Sequence, residues 1–423
     1  MTANSRLTEA YARELDHDDP LASFRDHFFV PPAANGAECI YLTGNSLGLQ
    51  PKAVRGYVEQ ELDDWAKHGV EGHFHAKNPW MPYHENLTAM TARLVGALPH
   101  EVVVMNTLTV NLHLMLTSFY RPTRERFRLL VEASPFPSDT YAFDSQVRLH
   151  GFDPREAVVE LRPRAGEETL RHEDILAAIA REGDALALIV LGNPNYLTGQ
   201  VFDVEAITRA GHAVGSRVGF DLAHGAGNLA LELHNWGPDF AVWCNYKYLN
   251  AGPGGLAGCF VHERHARDPS LHRLAGWWGH DKATRFQMGP NFEPIVGAEG
   301  WQLSNPPILQ LAALRASMEL FDRATMKALR AKSEKLTGYL EELLLALAPD
   351  VTILTPRDPK QRGCQLSLRV RGDARALQAR LFAEGVLVDF REPDVLRAAP
   401  TPLYNRFVEV HRFAHLLRQY AVC

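Results

Sequence analysis

Short apolar runs alternate with amphipathic stretches along much of the chain. Runs at 102–105, 129–131, 186–191 and 240–244 are typical of strands buried on both faces. Strands that alternate with helices indicate a mostly parallel sheet covered by helices on both sides. Sites in such sheets collect at the carboxyl ends of the strands. The pattern therefore predicts an α/β fold whose chemistry lies at that edge.

Three further stretches give specific expectations for single elements. The helical pattern that begins at Val54 places Val58, Leu62 and Trp65 on its apolar face. Farther on, the apolar run 256–261 predicts an edge strand of the main sheet. A helix of about ten residues is expected before the strand that ends at Asp221.

The pattern changes character near Ile308 and predicts a second, smaller α+β unit. It is helical to about 347, alternates like a half-exposed strand at 365–370, and ends in a closing helix. We therefore predict three parts: residues 1–50 as an N-terminal segment contributing to the small domain, 51–305 as the large domain, and 306–423 as the small C-terminal domain.

Composition and charge narrow the class of protein. The chain has 423 residues, enough for two domains, and its formal charge of −6 is not interrupted by any basic block, which argues against a nucleic-acid partner. A polar start and the lack of any 18-residue apolar run predict no membrane span, no signal peptide and a cytoplasmic location. The five cysteines lack a Cys-x-x-Cys spacing and the nineteen histidines lack ligand spacing, so we expect free thiols and no metal site.

The candidate chemistry centres on Lys247, in the segment CNYKYLNAGPGG. A buried run at 240–244 leads to it, and a lysine with little hydration favours the neutral amine that a nucleophile or base requires. Upstream, Asp221 ends another short strand and is followed by His224. A carboxylate that keeps a ring nitrogen protonated and a lysine that reaches an aldehyde are what pyridoxal phosphate needs. Ordinary loop and turn roles for Lys247 and Asp221 are the alternatives.

Three other segments could complete a site, each with an ordinary alternative. Thr109 stands near a predicted helix start, where free N–H groups suit a phosphate, although most such threonines only cap. Phe136 lies in a Pro-rich loop where it could rest on a flat ring or simply pack in the core. Arg397 precedes another Pro-rich loop and could bind a carboxylate, or form an exposed salt bridge.

Taken together, these motifs resemble one family. Ten segments between Tyr41 and Asn405 match it in order: TGNSLGLQPK, LTVNLHLM, FPSD, TGQVFD, GFDLAH, NYKYLNAGPGG, GWWGH, SNPPI, RGCQLSL and RAAPTPLYN. They resemble the kynureninase family, pyridoxal-phosphate enzymes of fold type I that act as homodimers. The resemblance implies hydrolysis of L-kynurenine to anthranilate and L-alanine, or of 3-hydroxy-L-kynurenine to 3-hydroxyanthranilate and L-alanine, in tryptophan degradation or NAD synthesis.

The same resemblance implies roles for individual residues. Lys247 would carry the cofactor, Asp221 would pair with its ring nitrogen, and Tyr246 would lie near the phosphate and relay protons. The remaining expected contacts to the cofactor are Leu108, Thr109, Phe136, Pro137, Ser138, Asp139 and His224, with Trp277 and Asn305 supplied by the partner subunit. The expected substrate contacts are Ser46, His73, Asn305 and the carboxylate-binding Arg397.

One position departs from the family pattern. Two other functions are alternatives to the one that the resemblance implies. Gly192 stands where family members often carry serine or threonine, so its contact is left unassigned. His73 and Asn305 resemble the pair in enzymes that favour the 3-hydroxy substrate. A cysteine desulfurase or selenocysteine lyase of the same fold would need a mobile acceptor thiol, for which Cys364 is the candidate. A non-enzymatic pyridoxal-phosphate fold member is the other alternative.

Overall fold

The strands are given by a computed structural model that describes residues 3–268 and 270–421. In chain order they are β1 (Phe28–Phe29), β2 (Ile40–Tyr41), β3 (Gln50–Pro51), β4 (Val102–Met105), β5 (Arg128–Glu132), β6 (Val158–Leu161), β7 (Leu186–Gly192), β8 (Arg217–Asp221), β9 (Phe240–Cys244), β10 (Ala257–Val261), β11 (Thr352–Ile353), β12 (Leu366–Arg369), β13 (Val386–Leu387), β14 (Asp389–Arg391) and β15 (Val395–Ala398). Cys423, one of the five cysteines, lies outside the described residues.

The α-helices of the described residues occupy most of the remaining chain. They are α1 (Glu9–His17), α2 (Val54–His68), α3 (Gly72–His75), α4 (Glu85–Val95), α5 (Leu108–Phe119), α6 (Pro137–Leu149), α7 (Pro154–Ala157), α8 (His172–Glu182), α9 (Val204–Ala213), α10 (Leu233–Trp236), α11 (Ile308–Ala324), α12 (Met326–Leu347), α13 (Ala374–Ala383) and α14 (Phe407–Tyr420). Among the described residues, no helix is long and apolar enough to cross a membrane.

A seven-stranded sheet forms the centre of the large domain, in the order β4-β10-β9-β8-β7-β5-β6. The pairs from β9 through β6 are parallel, which confirms the predicted mostly parallel sheet, while β10 runs antiparallel to both of its neighbours. The edge-strand prediction for 256–261 is therefore wrong. All five residues of β10 are buried, and such an apolar strand is more stable between two partners than at a solvated edge.

Helix α2 buries only the first part of the face that its sequence pattern marked as apolar. Val58 packs against the core, whereas Leu62 and Trp65 are 42% and 61% exposed and Glu61 and Asp64 are buried. Glu61 accepts a hydrogen bond from Trp80 Nε1 at 2.9 Å, and Asp64 accepts one from the Lys77 N–H at 3.0 Å. Buried carboxylates with such partners are tolerated. The acidic side chains thus hold the segment after α3 in place, and the second half of the apolar face points outward.

The smaller sheet has the order β11-β12-β15-β14, with α12, α13 and α14 packed on it. The prediction of a half-exposed strand at 365–370 is wrong, because Leu366, Ser367 and Leu368 are all buried. A loop of the large domain covers this strand, and the Ser367 hydroxyl donates to the Leu197 carbonyl at 2.5 Å. This loop fastens the small sheet against the carboxyl edge of the large one.

Three main hydrophobic cores are present in the described chain. The first covers one face of the large sheet together with α11 and continues as far as Leu329 in α12. The second covers the other face of the large sheet with α5 and α6. The third begins at Leu336 and joins the second half of α12 to α14, β12 and the N-terminal residues Ile40 and Leu42, and strand β2 also pairs with β13. The N-terminal segment therefore packs partly with the small domain, and α12 connects the first core to the third.

Candidate active site

A cavity of about 230 Å³ opens at the carboxyl ends of the strands of the large sheet. It is lined by Leu108, Thr109, Glu132, Phe136, Ser138, Asp139, Gly192, Pro194, Tyr196, Asp221, Ala223, His224, Tyr246 and Lys247. These residues follow or end strands β4, β5, β7, β8 and β9, because parallel strands bring their carboxyl ends to one edge. The structure thus brings together most of the residues singled out in the sequence.

Lys247 lies just beyond β9, with its amine inside the cavity. Its Nζ is 3.2 Å from His224 Nε2, and 5.8 and 5.9 Å from the ring centroids of Phe136 and Tyr246. Burial, with the positive charges of Lys247 and Arg397, holds the pKa of His224 well below its usual range. A neutral imidazole can accept a hydrogen bond from the lysine, so His224 restricts the position of the amine.

Two carboxyl groups meet at another point of the cavity. Asp221 ends β8 and accepts a hydrogen bond from the Ala223 N–H at 2.7 Å, while Asp139 lies in the first turn of α6 and is hydrogen-bonded to Asp221. Burial raises the pKa of Asp221, and burial together with the adjacent Asp221 raises the pKa of Asp139 well above its usual range. Like charges at this spacing favour one proton shared between them. Within the described chain, Asp139 Oδ1 has no hydrogen-bond partner.

Two helices begin at the cavity and supply polar groups. Helix α5 starts at Leu108 and α6 at Pro137, where proline's fixed φ suits the first helical position. The hydroxyls of Thr109 and Ser138 are 2.7 Å apart. Free N–H groups at two helix starts, with two hydroxyls between them, form a favourable environment for an anion such as phosphate.

The aromatic wall of the cavity comes from Phe136. Its side chain is 43% exposed and contacts the Tyr196 ring edge-on, with centroids 5.5 Å apart, so the core-packing alternative is wrong. An open aromatic face, an amine, a carboxyl pair and two helix starts are the groups that bind a phosphorylated pyridine aldehyde. The residues present therefore fit pyridoxal phosphate, and the unpaired Asp139 oxygen is a place for its ring nitrogen to be satisfied.

The alternative of an exposed salt-bridge arginine is wrong for Arg397. It lies on β15 and its side chain is 1% exposed. Its Nη1 donates to the Tyr196 carbonyl at 2.7 Å and its Nη2 to Asp389 Oδ2 at 2.5 Å. Since Tyr196 also lines the cavity, the guanidinium is held beside it from the small-domain side.

Six predicted site residues do not line the cavity of the described chain: Ser46, His73, Pro137, Trp277, Asn305 and Arg397. Pro137 is next to the lining residue Ser138, and Arg397 contacts the lining residue Tyr196. His73 Nδ1 is 2.9 Å from the Val70 carbonyl oxygen. The Trp277 side chain is 40% exposed, and Ser46 and Asn305 are exposed. The described single chain therefore does not bring these last four side chains to the cavity wall.

Glu132 is a cavity residue that sequence reasoning missed. It ends β5, is 4% exposed, and accepts hydrogen bonds from the Gly192 N–H with both carboxylate oxygens. Burial raises its pKa to about 7. The sequence signal that could have identified Glu132 is an acidic residue at the end of a buried strand, which is also the signal that identified Asp221. A Cβ on Gly192 would stand 2.6 Å from Glu132 Oε1, which accounts for glycine at this position.

Comparison with known proteins adds relatives that match almost the whole chain. It is 64% identical over 415 residues to the kynureninase of Myxococcus xanthus (strain DK1622), covering 98% of this chain and 97% of the relative. It is 61% identical over 407 residues to the kynureninase of Koribacter versatilis (strain Ellin345), covering 96% of each. Residues 329–417 match the model of the kynureninase C-terminal domain.

Solved structures with the same fold are more distant in sequence. A cysteine desulfurase from Thermococcus onnurineus NA1, in its apo form, is 17% identical with a TM-score of 0.75, covering 97% of this chain and 98% of that one. The K223A mutant of C-DES, with glycine covalently linked to its pyridoxal-phosphate cofactor, is 18% identical with a TM-score of 0.77, covering 93% and 98%. At these identities, the likeness shows a shared fold.

Proposed function

Because the chain belongs to the kynureninase family, we propose that the cavity around Lys247 is where it hydrolyses the Cβ–Cγ bond of L-kynurenine. The chain is a pyridoxal-phosphate-dependent hydrolase of tryptophan catabolism, with the fold expected from its sequence. The observation that supports this location best is the 3.2 Å contact between Lys247 Nζ and His224 Nε2 in a cavity that also contains Asp221.

Different residues of the cavity would hold different parts of the cofactor. Lys247 would be the attachment point, Phe136 would hold the ring, and the Asp221–Asp139 pair would keep the ring nitrogen protonated. Leu108 and Thr109, at the start of α5, and Pro137 and Ser138, at the start of α6, would hold the phosphate. When bound, pyridoxal phosphate supplies an electron sink for the electrons left at the substrate Cα.

Proton movements fall to two side chains of this cavity. With its amine free, Lys247 would be the base that takes the substrate Cα proton, and the neutral His224 beside it keeps that amine in place. Burial raises the pKa of Tyr246, so its hydroxyl stays protonated and can donate a proton in the later steps. Water adds to the side-chain carbonyl, and when the Cβ–Cγ bond breaks the carbonyl fragment leaves as the carboxylic acid anthranilate while Cβ takes up a proton to give alanine.

The substrate extends from the cavity toward the small domain and a second subunit. Arg397 binds the α-carboxylate, while Ser46, His73 and Asn305 contact the aryl ring, with Asn305 and Trp277 contributed by the partner of a homodimer. Exposed apolar side chains support such a pairing, since patches of this kind mark protein contacts: Trp65, Trp277, Phe286, Met288 and Leu309. Light scattering at working concentration would test the dimer.

The domain division and the location of the protein remain proposals. We divide the chain into a large domain of residues 51–305 and a small domain of 306–423, with 1–50 contributing to the latter. The first and third cores support this division in part, because Ile40 and Leu42 pack with the small domain while α11 packs with the large one. A cytoplasmic location accords with the free thiols of the buried cysteines.

The desulfurase alternative has little support from the thiol it would use. Cys364 is 0% exposed, and burial raises its pKa to about 12. It packs against Tyr248, and its backbone N–H donates to Asn228 Oδ1 at 2.9 Å. An acceptor cysteine must be exposed and readily ionised, so Cys364 is a structural residue.

Release of anthranilate tests the proposed function directly. Purified protein loaded with pyridoxal phosphate is mixed with L-kynurenine and with 3-hydroxy-L-kynurenine in parallel, and product fluorescence is followed beside a Lys247→Ala control. We expect release by the wild-type enzyme alone. Cofactor absorbance without any product from either substrate would contradict the proposed reaction while leaving the cofactor site intact.

A further inference from the structure

Strands β14 and β15 place two arginines and one aspartate on a single face of the small sheet. Asp389 lies directly opposite Arg397 in the antiparallel register, and Arg391 follows Asp389 by two residues. Residues two apart on a strand point to the same side, and directly opposed residues are nearest neighbours. The register therefore forces these three side chains together.

The carboxylate of Asp389 contacts both guanidinium groups. Its Oδ2 accepts from Arg397 Nη2 at 2.5 Å and from Arg391 Nη2 at 3.2 Å. The other terminal nitrogen of Arg397 donates to the Tyr196 carbonyl, so this guanidinium is fixed at both ends. Asp389 thus fixes the orientation of the Arg397 guanidinium.

The cluster of Asp389, Arg391 and Arg397 has two positive charges and one negative charge, so it is positive overall. Among residues 3–268 and 270–421, Asp389 is the one carboxylate that forms a salt bridge with Arg391 or Arg397. In the same described part of the chain, the Nε atoms of both arginines and Asp389 Oδ1 are buried without hydrogen-bond partners. An uncompensated charge beside a 1% exposed side chain is costly, so the arrangement favours binding of an anion.

The excess charge lies toward the cavity of Lys247. Tyr196, whose carbonyl receives the Arg397 hydrogen bond, lines that cavity. The charges of both Arg397 and Arg391 also contribute to the lowered pKa of His224, which contacts Lys247 Nζ. Arg397 therefore lies beside the cavity wall, and Arg391 lies next to Arg397 through their shared partner Asp389.

We infer that Arg391 binds the substrate α-carboxylate together with Arg397, and that Asp389 is the positioning residue that aligns both guanidinium groups. This rests on the proposed function, which assigns the carboxylate to Arg397 alone. A substrate carboxylate supplies the negative charge that the two arginines and Asp389 lack. An amino acid binds more tightly than its carboxamide for this reason.

Three variants test the inference in the cofactor-loaded enzyme: Arg391→Gln, Asp389→Asn and the control Arg369→Gln. Arg369 lies on β12 of the same sheet, and its side chain is 37% exposed, as is that of Arg391, but its partners are Glu168 and Asp394. The measurements are KM and kcat for L-kynurenine, and inhibition by L-alanine and by L-alaninamide, which keeps the amine and lacks the carboxylate.

For Arg391→Gln and Asp389→Asn we expect KM to rise about tenfold or more with kcat changed less than about threefold. Inhibition by L-alanine should weaken in parallel, while inhibition by L-alaninamide and the visible absorbance of the bound cofactor stay as in the wild type. Arg369→Gln should match the wild type throughout. The split between the two inhibitors is what a merely structural role would not produce.

Several outcomes would overturn the inference. If Arg391→Gln matches Arg369→Gln in KM and in alanine inhibition, Arg391 does not bind the carboxylate. An unchanged or lower KM in Asp389→Asn would show that Asp389 does not position the arginines, and if that variant fails to fold, Arg391→Gln decides. A wild-type enzyme that releases no anthranilate from L-kynurenine marks failure of the proposed function instead. Titration of the cofactor-loaded protein with L-alanine and with L-alaninamide, followed by the visible absorbance of the cofactor, then tests the carboxylate site.

Discussion

Glu132 and Gly192 end the neighbouring parallel strands β5 and β7, and the Gly192 N–H lies 3.0 and 3.1 Å from the two carboxylate oxygens of Glu132. The carboxylate occupies the space that a side chain at 192 would need, because a Cβ there would be 2.6 Å from Glu132 Oε1. Both residues line the cavity around Lys247. The glycine that departs from the family pattern is matched to its acidic neighbour.

Replacing Gly192 with alanine should therefore destabilise the protein. Glu132 must move, which leaves a buried N–H or carboxylate unpaired at a cost of about 1–3 kcal/mol. The free energy of unfolding in urea measures this. The matched control is Gly338→Ala in α12, where nothing lies within 4 Å of an added Cβ. This control should be stabilised by about 0.5–1 kcal/mol, and equal effects at the two sites would contradict the expectation.

The titration of Glu132 should appear in the pH dependence of stability. Burial raises its pKa from 4.5 to about 7, so between these values the unfolded chain has lost a proton that the folded chain keeps. Stability from this group is greatest below pH 4.5 and falls as the pH rises to 7, by about 3 kcal/mol. The cofactor-free chain is the right form to measure, since no ring nitrogen adds a charge.

Glu132→Gln should remove that part of the pH dependence. Urea unfolding of the wild type and the variant, compared at about pH 5 and about pH 7.5, gives the difference that belongs to Glu132. Glu59→Gln is the control, because Glu59 is exposed on α2. If the stability difference between wild type and Glu132→Gln is the same at both pH values, Glu132 does not titrate in this range.

Tyr246→Phe should leave the cofactor bound and slow the reaction. The variant loses a hydroxyl that its raised pKa keeps protonated, and removal of a proton donor typically lowers kcat by about 10²- to 10⁴-fold. Steady-state kinetics and the visible absorbance of the bound cofactor separate the two effects. Tyr141→Phe serves as the control, since Tyr141 is 70% exposed. Full turnover in Tyr246→Phe would remove Tyr246 from the proton-transfer steps.

The polar pair His73 and Asn305 should favour the hydroxylated substrate. A site that hydrogen-bonds a phenol leaves its own polar groups unpaired when the hydroxyl is missing, so we expect kcat/KM for 3-hydroxy-L-kynurenine to exceed that for L-kynurenine by about tenfold or more. Asn305→Ala should reduce this ratio toward one. A clear preference of the wild type for L-kynurenine would count against the role of both residues.

The sequence by itself was enough for the fold class and for the centre of the site. Buried strands at 186–191 and 240–244 are readable because both faces avoid water, and the parallel order places the residues after them at one edge. Lys247, Asp221 and His224 could be identified as one group for that reason. Glu132 was within reach of the same rule, since it also ends a buried strand.

Tertiary structure decided the features that depend on neighbours distant in sequence. Leu62 and Trp65 of α2 face outward because Glu61 and Asp64 bind a later loop, and β10 is internal because two strands pair with it. Arg397 is buried between Asp389 and the Tyr196 carbonyl, a contact set by strand register and by docking of the two domains. Local periodicity reports the preferences of one segment, whereas burial and charge pairing depend on which other segments fold against it.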